Sequence, residues 1–81
     1  MCDVAIAMTK GIPISRNLNL QRATNEARKV LLQTKDWPRT REHMRYWIKG
    51  EWALSQNTTA DYLNTIAARL MRDPETREFV A

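Results

Sequence analysis

The sequence predicts an all-α fold: a small bundle of three main helices plus a short C-terminal helix, with an irregular or short β-like N-terminal arm. Three observations predict it. Apolar residues recur at spacings of three and four along most of the chain. That recurrence is interrupted at Trp37-Pro38, around Asn57 and at Asp73-Pro74, where helix-stopping and helix-capping residues cluster. Only two Gly and three Pro occur among 81 residues, which argues against a disordered or fibrous chain. That length suits a single small domain over residues 1–81, with an arm at 1–15 and a helical body at 16–81. No repeat, low-complexity run or linker divides it.

In the arm, Val4, Ile6 and Met8 alternate, Thr9-Lys10-Gly11 suits a turn, and Ile12-Pro13-Ile14 reads as extended. A short hairpin is one outcome, with Pro13 confining its second strand to an edge. An extended arm lying on the helical body is the preferred one. The first helix is predicted over residues 18–34, with Asn17 as N-cap. Leu20, Ala23, Ala27, Val30 and Leu31 fall on one face, while Leu18 and Leu32 lie off that stripe.

Pro38 disfavours helical geometry at Trp37 and suits the first turn of a new helix. The second helix is therefore predicted over residues 39–56. Met44, Trp47, Ile48, Trp52 and Leu54 share one arc, so Trp47 and Trp52 are expected mainly in the core. Glu51 falls inside that arc. Either the helix bends at Gly50, which is the cheaper solution, or Glu51 is paired at the edge of the core. Asn57 is read as the residue that ends this helix, with Thr58 or Thr59 capping a third over residues 60–72. Tyr62, Leu63, Ile66, Ala67, Leu70 and Met71 make its buried face. Asp73-Pro74-Glu75 opens a short fourth helix that docks Phe79 and Val80 on the body.

The chemistry for catalysis is sparse. The single cysteine, Cys2, permits no intrachain disulfide, and one Cys with one His builds no zinc site. His43 stands on the second helix with no nucleophile placed near it, so it reads as a structural or surface residue. An enzyme, a cofactor and a metal are not expected. No segment resembles a signal peptide or a membrane span, and a reduced thiol fits a cytoplasmic protein.

Charge carries the functional reading. Thirteen Lys+Arg against nine Asp+Glu give a net charge of +4. It is unevenly spread: residues 1–50 hold ten basic and four acidic residues, and the remainder is net acidic. Arg41, Arg45 and Lys49 recur every fourth residue and form one ridge on the second helix, with Arg39 just before it and Trp52 continuing the flank. Basic side chains beside an aromatic suit phosphate contacts with added stacking. The plain reading is a solvated flank with Arg stems covering the tryptophans.

Residues 49–70 can also be threaded onto a helix-turn-helix, with Asn57 at the turn and Thr59, Asn64 and Thr65 on a helix that reads the major groove. Two antiparallel helices joined by a short turn fit better, because Gln56 and Thr58 stand where apolar residues are usual and Asp61 would be repelled by phosphate. Two function classes follow. One is a small basic regulator or accessory factor that binds DNA or RNA. The other is an adaptor or inhibitor that docks a Trp/Arg surface on an acidic face of a larger protein. Dimerisation would relieve the thin stability margin of so small a core.

Overall fold

The computed structural model describes residues 14–80, all of them in helices or the connections between helices. The expectations for residues 1–13, Cys2 among them, lie outside the described residues. Four helices follow in order: α1 (Ile14–Thr34), α2 (Trp37–Trp52), α3 (Gln56–Arg72) and the short α4 (Arg77–Val80). The three long helices pack pairwise, and α4 packs on α3. No helix among the described residues is long and apolar enough to cross a membrane.

The core is the meeting of three stripes. Leu20, Ala23, Ala27 and Leu31 come from α1, Met44 and Ile48 from α2, and Tyr62, Leu63, Ile66 and Leu70 from α3. The two alanines of α1 let its neighbours approach closely, since interaxial distance follows side-chain size at the contact. Phe79 and Val80 pack against this core from α4, as the sequence indicates. Met71 does not belong to it: the residue expected on the buried face of α3 is about half exposed. Trp37, Trp47 and Trp52 pack on the core from its rim and stay partly exposed.

Helix boundaries differ from the sequence expectation at each connection. Asn17 does not cap α1. Residues 14–17 are already helical, and the Asn17 side chain accepts a 3.5 Å hydrogen bond from Arg69 of α3. The first connection closes over residues 35–36. Lys35 adopts a left-handed φ of 56° and returns its N–H to Leu31, and the Asp36 side chain accepts from the Arg39 N–H at 3.2 Å. Pro38 sits in the first turn, as expected, but Trp37 is helical rather than outside the helix.

The second connection is the larger difference. α2 runs through Gly50 to Trp52 and stops at Ala53, which takes the left-handed φ of 50° and returns its N–H to Lys49. Ser55 then caps α3 by accepting from the Thr58 N–H. Asn57, Thr58 and Thr59 are thus inside α3, and the threading that put Asn57 at the turn does not hold. Glu51 needs no bend at Gly50: from the last turn of α2 its carboxylate reaches Arg22 of α1 at 2.8 Å.

Three threonines are buried as well. The Thr40 hydroxyl donates to the Asp36 carbonyl at 2.8 Å and lies 3.1 Å from the Thr34 hydroxyl, knitting the α1–α2 connection. Thr59 donates to the Ser55 carbonyl, and Thr76 to the Leu70 carbonyl. Each hydroxyl closes a local loop, so its burial leaves no donor unsatisfied.

Candidate functional site

The reversal at Ala53 sets the first turns of α3 beside the outer flank of α2. Between them lies a groove of about 610 Å³. Arg41, Arg45, Tyr46 and Lys49 form its α2 wall, Leu54 closes it at the turn, and Gln56, Thr59, Ala60 and Leu63 form its α3 wall. Helical geometry explains the α2 wall. Residues at i, i+4 and i+8 stay on one side of a helix, about 6 Å apart per step. Met44 and Ile48 point to the core, so this side points out. Ala60 is small and leaves the groove open opposite the cations.

The groove is electropositive. Among the described residues, three cations line it and no carboxylate does. Among the described residues, Arg41 and Lys49 make no ion pair. Arg45 makes one, a loose 3.7 Å contact with Glu42 one turn away, in which both side chains are about half exposed. Pairs of that kind hold little free energy, so the arginine stays available to a stronger anionic partner. The positive end of the α3 dipole adds to the same potential, because Gln56 and Thr59 of its first turn face the groove.

Three cations on α1 are engaged with acids. Arg22 pairs with Glu51, and its guanidinium lies 5.7 Å from the centre of the Trp52 ring. Arg28 bonds Asp73 and Glu75 together, each at 2.8 Å, across the connection from α3 to α4. The Arg28 hydrogen bond, helped by the Glu75 N–H, holds the Asp73 carboxyl below its ordinary value, while the Asp73 hydrogen bond and the Glu75 carboxylate charge raise Arg28 above its own. Lys29 and His43 share Glu26, with His43 Nε2 at 3.1 Å. His43 is therefore a surface residue tied to α1, as one of its sequence readings has it.

Of the residues singled out from sequence, Arg41, Arg45 and Lys49 are brought together as a ridge. Arg39 is exposed at the start of α2 and does not line the groove. Trp52 does not continue the flank. Its ring turns to Trp47 (5.4 Å, 86° between planes) and Tyr62 (5.9 Å, 59°) on the other side of the helix end. The proposed reading set on α3 is not assembled either. Thr59 is buried with its hydroxyl engaged, while the exposed Asn64 and the half-buried Thr65 do not line the groove.

Two groove residues were missed. Tyr46 is 66% exposed on the groove wall, and its signal was an aromatic next to Arg45 but outside the apolar arc of α2. Gln56 was read as the end of α2 and instead opens α3. No protein-family model matches the chain, and no characterised protein or solved structure does.

Proposed function

We propose that this chain is a small non-enzymatic nucleic-acid-binding protein, a regulator or accessory factor, and that it holds phosphates in the α2–α3 groove. The observation that carries this reading is the row of Arg41, Arg45 and Lys49 along one wall of a groove that no carboxylate lines among the described residues. Affinity for nucleic acid comes largely from neutralising phosphates, which releases counterions and makes binding fall steeply with salt.

The alternative, docking a Trp/Arg surface on a larger protein, draws less support. Trp47 and Trp52 pack on each other and on the core, and Arg22 covers Trp52, so the aromatic anchor for a partner is already occupied within the chain.

The test is the salt dependence of binding to a mixed-sequence oligonucleotide. Replacing Arg41, Arg45 and Lys49 together with Ala should flatten the slope of log affinity against log salt by up to about three units. The melting temperature should stay as it is, because exposed charges contribute little to stability. A triple variant that binds as the wild type does removes the groove from the reading. A wild-type chain that binds no nucleic acid at low salt leaves protein docking in its place.

A further inference from the structure

We infer that the α2–α3 groove takes a single-stranded segment of DNA or RNA, with Arg41, Arg45 and Lys49 following its phosphates and the Tyr46 ring stacked on one of its bases. This rests on the reading of the groove as a nucleic-acid site and narrows it to one kind of substrate.

Three features carry it. The first is Tyr46, two-thirds exposed on the wall that holds the cations. An aromatic ring facing out of a basic groove can stack on a base only if that base's face is free. Duplex bases stack on each other and offer only their edges to the grooves, whereas unpaired bases offer their faces. The second is the spacing of the cations. Steps of about 6 Å along α2 match consecutive phosphates along one extended strand. The three cations form a single file and give no second row for a complementary backbone.

The third is what α3 lacks. A duplex reader presents a helix whose outward side chains reach base edges. Here the start of α3 is a wall of the groove, Thr59 is buried with its hydroxyl on the Ser55 carbonyl, and Asn64 and Thr65 lie outside it. A concave site of about 610 Å³ admits a strand and its bases rather than inserting into a duplex.

The experiment titrates the full chain, by fluorescence anisotropy at low salt, with labelled oligothymidylate, oligouridylate and a duplex of equal length. Both strands should bind more tightly than the duplex, or one of them should if the site also distinguishes the sugar. Tyr46→Ala should weaken strand binding by roughly 5- to 150-fold, the range of one lost base–aromatic stack, and leave duplex binding and melting unchanged. Tyr46→Phe should keep the wild-type affinity, since the ring and not the hydroxyl does the stacking. In the wild type, the Tyr46 ring protons should move upfield on adding the strand.

Unchanged strand binding by Tyr46→Ala, a loss in Tyr46→Phe equal to that in Tyr46→Ala, or a duplex bound as tightly as the strands would each overturn the single-strand assignment. The wider nucleic-acid reading would survive those results. It fails separately, if the triple alanine variant of Arg41, Arg45 and Lys49 loses no affinity for any of the three probes.

Discussion

Along the seam of α1, Arg22 reaches Glu51 and Arg28 reaches Asp73 and Glu75, over sequence separations of 29, 45 and 47 residues. Along the α2–α3 groove, Arg41 and Lys49 reach no described carboxylate, and Arg45 touches only Glu42, three residues away. The same side chain thus does two jobs. At the seam it fastens helices that are distant in sequence, and its field is cancelled where it stands. At the groove it fastens no two described helices, and no described acid from another element cancels its field. A positive net charge does not distinguish these cases. What distinguishes them is whether an acid from another element arrives opposite the cation. Exposed cations left uncompensated side by side repel one another, so they are better evidence of a binding surface than the paired ones are.

The comparison would be sharpened first within α2, which serves both regions. Ile48 faces the core and is fully buried, whereas Tyr46 faces the groove. Ile48→Ala should cost about 2–5 kcal/mol in urea or thermal unfolding. Tyr46→Ala should stay within about 0.5 kcal/mol of wild type. A comparable loss in both would mean that the groove wall is part of the core.

A smaller effect is expected at the reversal that separates the two regions. Ala53 holds a left-handed φ of 50° that suits glycine, while Gly50 sits within the helix with open space where a Cβ would go. Ala53→Gly and Gly50→Ala should each raise stability by up to about 1 kcal/mol. A fall in the melting temperature of Ala53→Gly would show that the strain lies elsewhere in the turn.

The smallest expected effect lies at the seam and appears in its pH dependence. The Asp73 carboxyl is held below its ordinary value, first by the Arg28 hydrogen bond and then by the Glu75 N–H. The folded state therefore releases this proton more readily than the unfolded chain does. Its contribution is complete above the unfolded value, near pH 4, and is lost as pH falls through the lower folded value. Asp73→Asn should melt below wild type at neutral pH, and the gap should close on acidification below about pH 4. Arg41→Ala, at the groove, should show no such pH-dependent gap. If it does, the groove cation has a structural carboxylate partner and the contrast between the two regions is weakened.

Much of this molecule was legible before folding because it depends on local period. The stripes of Leu20, Ala23, Ala27 and Leu31, of Met44 and Ile48, and of Tyr62, Leu63, Ile66 and Leu70 follow from helical spacing, and all are buried. The connection before Pro38 was announced by the proline, whereas the cap at Asp36 emerged only with the structure. The connection at residues 53–55 was not announced. The residue that turns the chain is an alanine in a conformation usually left to glycine, and the glycine nearby sits in a helix that continues past it.

The sequence by itself determined three main helices, a short fourth one, most of the residues they bury and the ridge of Arg41, Arg45 and Lys49. Each of these needs only neighbours three or four residues away. Tertiary structure alone decided that Glu51 meets Arg22, that Trp52 folds onto Trp47 and Tyr62, and that Thr40, Thr59 and Thr76 are buried. It also made a groove out of a ridge. A ridge is a property of one helix, but a groove needs a second wall, and that wall is set by where the chain reverses and how α3 crosses α2. Packing across long sequence separations fixes those positions, and no local pattern encodes them.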